Sequence, residues 1–232
     1  MTDPVRMLSR LGRVLASTPA DRSLPERLAL AGCDILAVDG VSITIDAAGP
    51  NRTTLAATDP VARTLEELQD VLGQGPCWDA AAHASVQQTG LTPEDDRRWP
   101  EFCPAARAAV GPRTVVGLPM RPSSQVMGVL SVHLARSAEL PSGVELAQFF
   151  ADTVGAALLT DPAMHESDDN AGPWSSRATV HQATGMVIVQ LGIPAADALA
   201  VLRAHAYALN TSLDDVAARV VSRQLDFGKD TT

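Results

Sequence analysis

Apolar residues in the first forty positions recur at helical spacing. Leu8, Leu11, Val14 and Leu15 form one stripe beside Arg6, Arg10 and Arg13. After a break at Pro19, Leu24, Leu28, Ile35 and Val38 continue the theme. The period then changes to two: Val41-Ser42-Ile43-Thr44-Ile45 alternates apolar and hydroxyl side chains, the pattern of a half-buried strand. Gly49-Pro50-Asn51 marks a turn, and Arg52 to Ala57 reads as the returning strand. A helix is predicted from Ala62 to Leu72, with Leu65, Leu68, Val71 and Leu72 on one side, and Gly73-Gln74-Gly75-Pro76-Cys77 breaks it. Two more strands are predicted over 114–120 and 126–134, joined by a turn at Arg121-Pro122-Ser123-Ser124, before a long helix from Val144 to Leu159. Strand pairs flanked by helices, without regular βαβ alternation, predict an α+β domain.

The pattern changes again after residue 160. Thr160 to Pro173 is rich in acidic residues, proline and glycine and reads as a linker. Three amphipathic helices follow. In the first, over about 175–191, Val180, Ala183, Val187, Ile188 and Leu191 share a face, and Gly192 ends it. Pro194 opens the second, lined by Ala198, Leu199, Leu202, Ala206 and Leu209. Ser212 caps the third, which carries Leu213, Val216, Ala217, Val220 and Val221. The expected division is an N-terminal helix over 1–21, an α+β domain over 22–160, a linker over 161–173, a three-helix domain over 174–227 and a tail over 228–232.

Composition narrows the function. The 232-residue chain is 46% hydrophobic, enough for packed cores, yet it contains no run of apolar residues long enough to span a bilayer. Its first residues lack a signal-peptide core, so a cytoplasmic protein without membrane attachment is expected. Cys33, Cys77 and Cys103 are odd in number and far apart, which predicts free thiols and no zinc site. The net charge of −9 argues against nonspecific affinity for nucleic acid. Over 174–227, however, Arg177, Arg203, Arg219 and Arg223 balance Asp197, Asp214, Asp215 and Asp226, so the acidic excess lies in the preceding part. Catalysis is not expected: there is no nucleophile–base–acid order, metal constellation or βαβ-embedded glycine loop. A phospho-receiver domain is excluded by the lack of parallel-sheet alternation.

Two resemblances sharpen these readings. Gln182-Ala183-Thr184-Gly185-Met186, Leu202-Arg203-Ala204-His205-Ala206 and Leu213-Asp214-Asp215-Val216-Ala217 with Val220-Val221 resemble, in order and spacing, the ANTAR domain. That is a bacterial three-helix output module that binds RNA and prevents premature transcription termination. Thr54-Leu55-Ala56-Ala57-Thr58-Asp59 and Leu72-Gly73-Gln74-Gly75-Pro76-Cys77, within the helix and strand order described, are similar to the GAF sensor domains joined to such outputs. The combined expectation is a GAF-like antiparallel sheet flanked by helices, followed by a small all-α ANTAR domain.

The resemblance implies a signal-responsive antiterminator that binds RNA hairpin loops of leader transcripts as a homodimer. Its leading helix either pairs with a second copy or packs on its own domain. The candidate RNA contacts are Arg177, Gln182, Thr184, Arg203, Tyr207, Arg219 and Arg223, because arginine grips phosphate at two points and tyrosine stacks on unpaired bases. Many ANTAR domains carry lysine where this chain has Thr184, which puts one phosphate contact in doubt. GAF domains bind small molecules between the sheet and its covering helices, or serve only to dimerise. The cyclic-nucleotide signature Asn-Lys-Phe-Asp-Glu is missing, no chromophore attachment site is evident, and no cofactor is assigned. Cys77 is either a buried structural thiol or a redox thiol near a helix start, and Trp78 and Trp99 are either core residues or pocket walls. His83 and His133 are weaker candidates for haem ligation. The competing reading is a ligand- or redox-sensing GAF protein that acts through a protein partner without RNA.

Overall fold

The computed structural model describes residues 4–19, 21–46, 52–123, 125–135, 139–162, 174–209 and 211–228, without the side chains of 174–178, 181 and 196. Most of the expected linker, the turn at 49–51 and the end of the tail lie outside the described residues.

The α+β expectation holds. Two helices, α1 (Pro4–Ser17) and α2 (Leu24–Leu36), lead into β1 (Gly40–Ile45), β2 (Thr53–Ala57), α3 (Pro60–Leu72), α4 (Pro76–His83) and β3 (Gln87–Thr89). A 3₁₀ turn at Asp95–Arg97 precedes α5 (Phe102–Val110), β4 (Thr114–Met120), β5 (Gly128–Leu134) and α6 (Val144–Leu159). The five strands form one antiparallel sheet in the order β2-β1-β5-β4-β3. The two central pairings run Ile43 opposite Leu130 and Leu118 opposite Leu130.

Both faces of this sheet are covered, so β1, β4 and β5 are buried along their whole length. Val41, Ile43, Ile45, Val116, Leu118, Leu130 and Val132 pack on α2 and α6 in the main core. The hydroxyls that alternate with them in β1 are therefore not solvent-facing as expected. They point into the layer made by α3 and α4.

Local chemistry sets the helix ends. Ser23 and Glu26 form a reciprocal capping box at the start of α2. Asp59 caps α3 by accepting from the amides of Val61 and Ala62 at 2.8 and 3.0 Å. The same carboxylate meets Nε2 of His133 at 3.2 Å, while Arg113 donates to Nδ1 of that ring at 3.2 Å. The donor on one ring nitrogen leaves the proton on the other, so Nε2–H donates to Asp59. Burial holds the His133 pKa below its ordinary value, so the ring is neutral. His133 thus ties β5 to the start of α3 and is not a free ligand. At Gly40 a Cβ would fall 2.0 Å from Asp59 Oδ2 and 2.2 Å from His133 Nε2, so the junction requires glycine.

α1 packs on its own domain through Met7 and Leu11. Arg10 makes two bonds of 2.8 Å to Asp34 of α2. Leu8, expected on the buried stripe, faces solvent instead.

Three further helices, α7 (Trp174–Leu191), α8 (Ala195–Ala208) and α9 (Leu213–Val221), form the second unit. Ala183, Val187, Ala198, Leu199, Leu202, Ala206, Leu213, Val216, Ala217 and Val220 make its core, as the periodicity predicts. Leu209 departs from that prediction and is exposed. Val71 of α3 is buried in this same core, so the two units share an apolar contact.

Candidate functional site: a polar junction and a helical surface

The layer between the sheet and α3 is built around Glu66. Its carboxylate accepts from Ser42 Oγ at 2.9 Å, Thr44 Oγ1 at 3.2 Å and Gln69 Nε2 at 3.3 Å, and also from Arg52 Nη2. The side chains of Glu66 and Arg52 are each only 2% exposed, so this ion pair stands in low dielectric. Gln69 Oε1 in turn accepts from the Cys77 amide at 2.8 Å, and the Cys77 thiol lies 3.6 Å from Glu66 Oε1. A Cβ on Gly75 would meet Gln69 Oε1 at 2.6 Å, which explains the glycine ahead of Pro76. The space between sheet and α3/α4 is occupied by these side chains.

That packing settles the condition of Cys77. It does stand at the start of a helix, where a thiolate is favoured, but it is completely buried. Burial, reinforced by the neighbouring Glu66 charge, pushes its pKa up to about 12. An accessible, activated thiol is therefore not what the structure has at this position. Trp99 is likewise a core residue, packed with Leu65 and Phe102, its Nε1 3.2 Å from Asp79. Trp78 makes different contacts from Trp99. Its Nε1 donates to the Gln69 carbonyl at 2.7 Å, and its ring turns toward the helical unit.

There Trp78 meets Arg203. The Arg203 guanidinium lies 5.0 Å from the ring centroid, and that of Arg52 lies 5.6 Å from it. Both arginines also approach Asp70 Oδ1, each at 3.9 Å. Burial is the main cause that lifts the Asp70 pKa to about 6, against the pull of Arg52 and Arg203. Arg203, with its side chain 17% exposed, is depressed by burial below its ordinary value. Beside this contact a cleft of about 250 Å³ runs between the two units. The edge strand β2, Arg63, Glu67 and Asp70 line one wall, and Val180, Ser212 and Asp214 the other.

The remaining candidates lie on the helical unit. Gln182 and Arg223 are brought together in a groove of about 550 Å³ with Gly185, Met186, Val189, Gln190, Leu225 and the carboxylate residue Asp226. Val189 on its wall is 84% exposed, and among the described residues nothing lies within 4 Å of where a Cβ on Gly185 would be, so this glycine is not required by a helix contact there. Thr184 is half-buried and donates to its own helix at Val180 O, 2.7 Å away. Tyr207 is 54% exposed on α8, Arg219 is half-buried on α9, and the side chain of Arg177 lies outside the described residues. Sequence reasoning missed Arg52, Glu66, Gln69 and Asp70. A signal was present in Ser42 and Thr44, whose hydroxyls required a polar partner once both sheet faces were covered.

Among the described residues no cluster of His, Cys, Asp or Glu is placed to hold a metal ion, and no helix is long and apolar enough to cross a membrane. Comparison with known families is decisive for the larger unit, where the GAF domain model matches residues 22–158. The chain belongs to the GAF family. Behind this GAF domain the ANTAR domain model matches residues 174–221, which makes the helical unit an ANTAR domain. A sensor domain followed by an RNA-binding output domain is the organisation of a regulator of antitermination. A solved structure that matches is the GAF domain of a protein from Pseudomonas syringae pv. tomato described as a sensor histidine kinase, at 18% identity. It covers 67% of this chain and 85% of its own, with a TM-score of 0.43. No curated protein matches the chain.

Proposed function

We propose that the protein is a signal-responsive transcription antiterminator whose ANTAR domain binds structured RNA hairpins under control of the GAF domain. The observation that carries this reading is the ANTAR match over 174–221, on a unit with a groove that joins Gln182 and Arg223. The groove offers amide groups that can read a base edge, an apolar wall against which a base can rest, and a guanidinium for phosphate. Tyr207 adds an exposed ring suited to stacking on an unpaired loop base. Gln182, Tyr207, Arg219 and Arg223 are the contacts of the arrangement described, and Arg177 and Arg203 join them in RNA binding. Thr184, turned to its own helix, lines the surface without gripping phosphate.

The active species is a homodimer in the cytoplasm, since two weak output domains gain affinity through effective concentration when the RNA offers two hairpins. The signal is a small molecule taken up by the GAF domain, and it acts by shifting the population of sensor–output arrangements. The polar filling between sheet and α3 directs such a ligand toward the open cleft beside Asp70 and Asp214. Crosslinking the protein to RNA in its native cell and sequencing the recovered fragments tests the reading. Paired hairpins from leader transcripts are expected. Recovery of no RNA above background under varied growth conditions would move the assignment to a protein partner.

A further inference from the structure

The fate of Arg203 is the least expected feature of the molecule. It lies on the solvent side of α8, one turn before the exposed Tyr207, and would belong to the same open face if the ANTAR domain stood alone. Instead the GAF domain covers it. Trp78 and Asp70 hold the guanidinium, a Cβ on Gly73 would stand 3.6 Å from its Nη1, and the neighbouring Val71 fills the ANTAR core.

This contact is apolar in its fit and poor in its charges. Val71 is buried as a core residue is, which favours closure. The ions are badly served. Asp70 stands 3.9 Å from both arginines, well beyond the roughly 2.8 Å of a direct charged hydrogen bond. Nε of Arg203 is buried with no hydrogen-bond partner among the described residues. Two guanidinium groups crowd one indole and one carboxylate oxygen, and burial lifts the Asp70 pKa and lowers that of Arg203. Asp70 and Arg203 are largely withdrawn from water yet do not meet as a close pair, which opposes closure, so apolar packing and electrostatics are set against one another. An interface of that kind is poised to open.

We propose that the GAF domain restrains the ANTAR domain by withdrawing Arg203 and the face of α8 around it into the contact with Val71, Trp78 and Asp70, so that RNA binding requires this contact to open. The proposal rests on the RNA-binding reading above and adds its regulation. RNA phosphate and the Trp78–Asp70 site compete for the same guanidinium. Any input that separates α3 from α8 raises RNA affinity without changing a single RNA-contacting residue.

The test uses the full chain with Val71→Asp, which places a charge in the shared apolar contact while leaving every candidate RNA residue intact. Trp78→Leu serves as a second variant that removes the aromatic plate. Hydrogen exchange is read on α8 and on the last turn of α3, with β4 and β5 as the control that the GAF sheet is folded. RNA recovered by crosslinking in the native cell is read in parallel. Faster exchange on α8 in both variants, an unchanged sheet, and on the order of tenfold more RNA recovered support the restraint. Equal exchange on α8 in wild type and Val71→Asp would show that the contact does not hold the output domain, and overturns the proposal. Faster exchange with unchanged RNA recovery overturns the competition between contact and RNA. Faster exchange with no RNA from any protein instead defeats the RNA-binding reading itself.

Discussion

Cys77 shows how opposing local effects are resolved by position. It occupies the first turn of α4, where the helix dipole favours a thiolate, and Arg52 acts in the same direction. Complete burial and the nearby Glu66 charge outweigh both. In the native protein Cys77 is therefore expected to resist iodoacetamide at neutral pH and to react only once denaturant exposes it, which mass mapping of alkylated peptides will show. Rapid native labelling of Cys77, ahead of the half-buried Cys33, would overturn this account. The pH dependence follows from the direction of the shift. The folded pKa of about 12 lies above the ordinary thiol value, so the native state holds this proton more tightly than the unfolded chain does. The contribution is complete below the unfolded value and is lost as pH rises from about 8.5 toward about 12. The helix start at Cys77 was legible in Gly75-Pro76-Cys77. Its burial, one of the two readings the sequence leaves open, depends on Gly117, forty residues away in β4. A Cβ at Gly117 would meet the Pro76 carbonyl at 2.8 Å, so glycine there lets α4 lie directly on the sheet.

Among the elements, α3 carries the most divided duty. Its sequence shows a single apolar stripe of Leu65, Leu68, Val71 and Leu72, and the helix forms as that stripe predicts. Tertiary context divides the stripe among different neighbours. Leu65 packs with Phe102 and Trp99, the neighbouring Glu66 turns to the sheet and Gln69 to α4, and Val71 enters the ANTAR core. No periodicity encodes such a division, since each partner comes from a distant segment. The same reasoning explains the elements that were not foreseen. β3 has three residues, two of them glutamine, and α5 is short, so neither offers enough periods to be read, while α4 shows only its start. Helix ends at Gly192, Pro194 and Ser212 are legible in the sequence, whereas the helix expected from Ala62 begins earlier, capped by Asp59, which also receives His133. Replacing Asp59 by alanine removes the cap, worth about 1 kcal/mol, and leaves the His133 N–H without its acceptor, worth about 1–3 kcal/mol. Asp59→Ala is thus expected to destabilise the GAF domain by about 2–4 kcal/mol in urea unfolding, and Asp59→Asn, which can still cap, by clearly less. Equal losses in the two variants would locate the contribution in the charge and not in the cap.

For the whole molecule the governing fact is charge. The chain has a net charge of −9, with only one lysine, and the ANTAR segment sets four arginines against four aspartates. Such a protein cannot be drawn to RNA by a general field, so its affinity must come from a few directed contacts, and that has a measurable signature in salt. Each phosphate neutralised contributes about −0.7 to −0.9 to the slope of log K against log salt. One ANTAR domain that engages all four arginines therefore gives a slope of about −3 to −4, and a dimer on two hairpins about twice that. The slope thus counts the output domains engaged on the RNA. It also tests the restraint on Arg203. Under the proposed restraint, RNA must first break the Arg203–Asp70 contact in the wild type, and salt weakens that contact as well as the RNA contacts, so the two effects partly cancel. Val71→Asp, already open, is expected to bind more tightly and to show a steeper slope, by up to about one per copy. Equal slopes with unequal affinities would mean that opening exposes the α8 surface without releasing a cation to phosphate. Arg203 would then be a hinge contact, and recognition would fall to the groove that joins Gln182 and Arg223.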